Sequence, residues 1–142
     1  MDFKKKLIFF FLLVSLSHLI DCSREQCINL DITTKFNNLF HHFLSNYSWF
    51  GSIIFGYHEF HLIYILVIFS GWKLLGDKCF ITLKYNESCG YDKNKGFDDL
   101  FSNIYNLLGI DNYIDNYIDN GYHTIMKSLI LYDILMILKK YI

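Results

Sequence analysis

The sequence predicts an α+β domain that is mainly helical. Apolar residues recur at helical spacing in three long stretches, whereas a single β-branched and aromatic run, Leu62–Phe69, is typical of a buried strand. The chain of 142 residues is long enough to bury a core. Its composition, 53% apolar and 19% charged, excludes a disordered protein. A net charge of −1 excludes a general basic field that would attract nucleic acid.

The amino terminus has the features of a secretory signal peptide. Three lysines, Lys4 to Lys6, precede the apolar run Leu7–Leu16, and small residues at Ser15 and Ser17 suit signal peptidase. This run is shorter than the roughly 20 residues that cross a bilayer, which favours cleavage over an uncleaved signal anchor.

Cleavage is expected after Ser17, or after Cys22 as the alternative, and residues 23–142 are expected to form one small domain. We expect that domain to be secreted, either extracellular or endolysosomal. Two glycosylation sequons agree with this compartment, and their asparagines, Asn46 and Asn86, are expected in surface loops.

Four cysteines are expected to form disulfides in that oxidising compartment. The sequence leaves all three possible pairings open, and the spacings do not fit a zinc knuckle or ribbon. The cysteines are Cys22, Cys27, Cys79 and Cys89.

The first predicted helix beyond the signal spans Ile32–Leu44. It follows Asp31, a good N-cap residue, and gathers apolar side chains such as Phe36 and Phe40 on one face. The pattern therefore predicts an amphipathic helix.

A second amphipathic helix is predicted over Phe97–Leu108. Asp98 and Asp99 stand in its first turn, where carboxylates suit the helix dipole, and Gly109 is placed to end it. The repeat IDNYIDNYIDNG follows and finishes on a turn signal at Asn120-Gly121.

The carboxyl-terminal segment Ile125–Ile142 is predicted to be a strongly apolar helix. Its composition favours a packed terminal helix over an anchor on a membrane surface.

The stretch FGYHEFH places His58, Glu59 and His61 close together. A zincin requires two histidines four residues apart, but Leu62 stands four residues after His58, so we expect no metal there. No serine nucleophile elbow and no glycine-rich phosphate loop occurs either.

The order of features from Cys27 to Leu108 resembles the second half of the secreted acid ribonucleases of the T2 family. The second active-site segment of that family reads aromatic-x-x-His-Glu-aromatic-x-Lys-His-Gly-x-Cys. The residues that match it are Phe55, His58, Glu59 and Phe60, and more loosely Gly76 and Cys79.

The resemblance implies a central sheet, a disulfide from Cys27 to Cys79, RNA rather than DNA as partner, and no cofactor. It also implies endonucleolytic cleavage of RNA through a 2′,3′-cyclic phosphate. His58 would hold the phosphate, and Glu59 would support the charged transition state or orient a neighbouring group.

This sequence departs from the T2 pattern in three ways. The Lys-His pair is replaced by Leu62 and Ile63, an apolar insert occupies about 62–75, and the first active-site segment is missing. We therefore expect little or no ribonuclease activity.

The alternative function is that of a non-enzymatic small secreted or membrane-associated disulfide glycoprotein. Its membrane contact would run through residues 62–75 or 125–142, the two most apolar stretches beyond the signal.

Overall fold

The computed structural model describes residues 2–24, 31–92, 95, 99–107 and 115–142. Those residues form six helices, which are α1 Phe3–Arg24, α2 Ile32–Phe55, α3 His58–Leu74, α4 Phe80–Cys89, α5 Leu100–Leu107 and α6 Asp115–Tyr141. No β-strand occurs within these ranges. The predicted α+β class is therefore wrong, and the chain as described has no sheet of the T2 kind.

The run predicted as a buried strand, Leu62–Phe69, lies in the middle of α3. Strand propensity is a weak preference that tertiary packing overrides. A helix satisfies its backbone with its own hydrogen bonds and needs no neighbouring strand. The His58-Glu59-Phe60 part of the predicted active-site fragment and the apolar insert as far as Leu74 thus form one continuous helix, in which Ile65 is fully buried.

Helices α2 and α3 form an antiparallel hairpin around Gly56. This residue has a φ of 74° and caps α2 by donating its N–H to the carbonyl of Ser52 at 2.8 Å. An L side chain is strained at that φ, so glycine suits the turn.

Helix α1 packs against α2. The side chain of Phe10 is buried and meets Phe43 and Phe55 edge to face, with ring centroids 5.3 and 5.5 Å apart. The segment predicted to be a cleaved signal peptide therefore lies inside the helical packing of this structure.

Helix α6 lies along α3 in the opposite direction, since Lys140 near its end pairs with Glu59 near the start of α3 at 2.7 Å. The prediction of a helix over Ile125–Ile142 is confirmed, as α6 runs to Tyr141. The predicted turn at Asn120-Gly121 is wrong, because α6 continues through it.

Two predicted helix starts can be compared with the structure. Asp31 is confirmed as the N-cap of α2, because its side chain accepts a hydrogen bond from the Thr34 N–H at 2.7 Å. Asp99 accepts from the Ser102 N–H at 2.9 Å at the start of α5. The other residues of that prediction, Phe97, Asp98 and Gly109, lie outside the described residues.

The two sides of α2 differ in polarity, and its polar side faces the interior. Its buried face is mostly polar, with Thr34, Asn38, His41, His42, Asn46, Ser48 and Ser52. The predicted apolar face points outward, so that Ile32 is 85% exposed and Phe36 is 63% exposed. The prediction of an amphipathic helix is confirmed, and the structure shows that its polar side is the buried one.

The same arrangement, with polar side chains inside and apolar side chains outside, extends over the bundle. Apolar side chains on α1, α2, α3 and α6 are exposed, while a smaller apolar core coexists with many buried polar groups. In the part of the chain that the structure describes, no helix is both long and apolar enough to cross a membrane.

Candidate functional site

One buried polar cluster joins α2, α3 and α6 around Asp133. We call it the α6 cluster, formed by Ser52, His58, His61 and Asp133. His61 Nδ1 lies 2.6 Å from Asp133 Oδ2, and His58 Nδ1 lies 3.2 Å from Oδ1. The Ser52 hydroxyl donates to the same Oδ1 and lies 2.7 Å from His58 Nδ1. Asp133 is therefore the common acceptor of three side chains.

Acceptor groups surround both ring nitrogens of His61. Its Nδ1 faces the carboxyl group of Asp133, and its Nε2 faces two backbone carbonyls, of Tyr47 at 3.1 Å and of Ser48 at 3.2 Å. Carbonyl oxygens only accept, so Nε2 donates. The contacts of this one ring thus connect α3 to both α2 and α6.

The two residues predicted to be catalytic, His58 and Glu59, do not face a common point. His58 turns inward to Asp133, and its side chain is 15% exposed. Glu59 turns outward to Lys140, and the hydrogen bond from that lysine lowers the pKa of the Glu59 carboxyl. Since they are adjacent in a helix, their side chains point in different directions.

A second buried cluster joins α1 to α2. We call it the α1 cluster, formed by Ser17, Asp21, Asn38 and His42. His42 Nε2 lies 2.9 Å from Asp21 Oδ2, and His42 Nδ1 lies 2.8 Å from Ser17 Oγ. Asn38 Nδ2 donates to Asp21 Oδ2 at 2.9 Å.

The serine, histidine and aspartate of the α1 cluster follow the order of a hydrolase triad. A nucleophilic serine must be reached by its substrate, but Ser17 and His42 are fully buried. We therefore interpret this chain of hydrogen bonds as structural. It was missed from the sequence, although two polar residues in the apolar α1, Ser17 and Asp21, were a signal.

His41 and Cys79 form a third polar contact, where α4 begins. His41 Nε2 lies 3.2 Å from the sulfur of Cys79, which is a free thiol in this structure in place of the disulfide to Cys27 that the resemblance implies. Cys27 itself lies outside the described residues. Burial, together with the charge of His42, lowers the pKa of His41 to about 3. Such an imidazole is too weak a base to activate a thiol near neutral pH.

Acid is expected to destabilise the fold through His41. The unfolded chain takes up a proton at about pH 6.5, but the folded chain does so only near pH 3. The free energy of unfolding therefore falls as the pH drops from 6.5 towards 3. At pH 5 the loss is about 2 kcal/mol.

Urea unfolding at several pH values measures this effect. The control is His41→Gln, which retains a polar side chain but cannot titrate. Between neutral pH and pH 5, its free energy of unfolding should fall by about 2 kcal/mol less than that of the parent protein. Identical pH profiles for the two proteins would contradict the assignment to His41.

Both predicted glycosylation sites lie in helices and are buried, not in surface loops. Asn46 Nδ2 donates to the carbonyl of His42 at 2.8 Å. Asn86 Nδ2 donates to the carbonyl of Lys95 at 2.8 Å. The folded chain thus holds both amide nitrogens in backbone contacts.

Within the described ranges, no three His, Cys, Asp or Glu side chains are arranged to hold a metal ion. The α6 and α1 clusters hold their histidines by hydrogen bonds to a carboxylate and a serine instead.

The chain matches no protein-family model, no curated protein and no solved structure.

Proposed function

We propose that this chain is a non-enzymatic, membrane-associated helical protein whose outward apolar side chains lie among lipid acyl chains. The observation that carries the proposal is the inverted distribution of side chains, with paired polar groups inside and large apolar groups outside.

The exposed apolar side chains occur on several helices that face different directions. Leu12 on α1 is 63% exposed, Ile63 on α3 is 62% exposed, and Leu135 on α6 is 55% exposed. Extended apolar surface marks contact with a partner or a membrane. A single protein partner would cover one side of the bundle, whereas lipid covers all sides at once.

The charged residues support the same proposal through their positions along the helices. Between Lys6 and Asp21, α1 has no Asp, Glu, Lys or Arg, and the same holds for α3 between Glu59 and Lys73. In α6 the single charge between Lys127 and Lys139 is Asp133, which is buried and paired. Ionisable groups in lipid are expected to face a bundle interior and to pair in this way.

Association of this kind does not require a helix that crosses the bilayer. Exposed apolar side chains can enter the acyl-chain region from the headgroup interface and remain there through the apolar area that they bury. The proposal includes the two stretches named from the sequence, 62–75 and 125–142, and adds the outward side of α1.

Carbonate extraction of membranes from cells that express the chain tests the proposal. We expect the protein to remain in the pellet, whereas release into the supernatant would contradict it. The matched variant is Leu12→Ser, Ile63→Ser, Leu135→Ser, because these side chains are exposed and their loss should free the protein while leaving its helical circular dichroism unchanged.

Ribonuclease activity is not expected. Cleavage through a cyclic phosphate needs an acid and a base on opposite sides of the phosphorus. His58 Nδ1 is held by Ser52 and Asp133, while Glu59 is paired with Lys140. Purified protein should cleave RNA at mildly acidic pH no faster than the double variant His58→Ala, Glu59→Ala. Cleavage that disappears in that variant would contradict this prediction.

A further inference from the structure

We infer that one end of the bundle binds the headgroups of anionic lipids, an inference that rests on the proposed membrane association. We call it the basic end, formed by Lys4, Lys5, Lys6, Lys139 and Lys140. These lysines come from the two extremes of the sequence, and the fold brings them together.

Lysines from α1 and α6 contact residues on either side of the hairpin turn between α2 and α3. Lys6 Nζ donates to the carbonyl of Phe55 at 3.5 Å, and the rings of Phe3 and Phe55 are 6.2 Å apart. Lys140 Nζ reaches Glu59 at 2.7 Å on the other side of the same turn. The first turns of α1 and the last turn of α6 therefore flank one end of the hairpin.

The charge of this end is opposite to that of the remaining chain. Its five lysines are accompanied by two exposed carboxylates, Asp2 and Glu59, for a net side-chain charge of +3. The whole chain has 13 basic and 14 acidic residues, so the other residues have 8 and 12, a net charge of −4. Such a separation orients a protein on a negative surface.

The lysines stand at the edge of the apolar surface. Leu7 and Ile8 follow Lys6 directly, Leu138 precedes Lys139, and all three apolar side chains are exposed. Lysines in this position extend their ammonium groups to the headgroups while their stems remain against apolar surface. Nucleic acid would pair with the lysines but would leave the adjoining apolar side chains in water. We therefore favour a lipid surface.

Vesicle flotation tests the inference with purified protein. The probes are vesicles of phosphatidylcholine alone and vesicles that also contain phosphatidylserine. The test variant is Lys4→Gln, Lys5→Gln, Lys139→Gln, which leaves the contacts of Lys6 and Lys140 intact. The control variant removes three exposed lysines from the opposite end, Lys35→Gln, Lys73→Gln, Lys84→Gln.

We expect tighter binding to the vesicles with phosphatidylserine, weakened by salt. Each lysine removed from the basic end should lower that binding about fivefold, the factor that corresponds to about 1 kcal/mol per lysine at an anionic surface. The control variant should bind as the parent does.

Equal binding of the parent to both kinds of vesicle would overturn the inference and leave membrane association standing. Equal losses in the two variants, or release of the parent from the vesicles by added RNA, would also overturn it. Binding to neither kind of vesicle would contradict the proposed function itself.

Discussion

Replacing Asp133 by alanine is expected to lower the free energy of unfolding by about 3–5 kcal/mol. Asp133 is fully buried and accepts from Ser52, His58 and His61. The variant would leave the Ser52 hydroxyl and the ring nitrogens of two histidines in the interior without their shared partner. Because α6 packs mainly on α3, we also expect α6 to detach before the remaining helices unfold.

Urea unfolding measures the loss, and limited proteolysis shows whether cleavage begins within α6. The matched control is Leu135→Ala on the same helix, whose exposed side chain should contribute less than about 1 kcal/mol to folding. If Asp133→Ala is as stable as Leu135→Ala, the structural role of the α6 cluster is refuted.

The second large effect is expected for Asp21→Ala, with a loss of about 3 kcal/mol. This change removes the acceptor that His42 Nε2 and Asn38 Nδ2 share in the interior. A buried donor without an acceptor bears its full desolvation cost. Unfolding by urea, followed by circular dichroism, gives the difference.

The control for Asp21 is Asp77→Ala, since Asp77 pairs with Lys73 at the surface, where ion pairs contribute at most about 1 kcal/mol. Equal stability of the wild type and Asp21→Ala would contradict the structural role of Asp21 in the α1 cluster.

Local sequence signals predicted much of the secondary structure. The N-cap at Asp31 and the terminal apolar helix follow from short-range rules, because capping and helical spacing involve neighbouring residues. The strand at Leu62–Phe69 failed because β-branched residues also fit the outward face of a helix such as α3.

The buried face of α2 could not be predicted in the same way. Helical spacing shows which residues share a face, but not which face the neighbouring helices cover. That choice depends on partners distant in sequence, such as Asp21 for His42 and Asp133 for His61.

The stretch FGYHEFH illustrates the limit for the candidate site. The sequence places His58 and His61 close together, and the structure brings both to Asp133. Asp133 is distant from these histidines in sequence. Its position as a carboxylate within an apolar helix was the available signal that it is buried and paired. Glu59, named because it matches the His-Glu pair of the T2 segment, pairs with Lys140 instead.

Photo-cross-linking from within the bilayer tests the central claim most directly. Vesicles with a diazirine in the lipid acyl chain would be bound to the protein and irradiated, and the adducts mapped by mass spectrometry. We expect adducts on outward apolar residues, including Leu12, Ile63 and Leu135, and none on Phe10 or Ile65, which are buried. Bound protein without acyl-chain adducts, or with adducts on the buried residues instead, would contradict the inverted arrangement of this bundle.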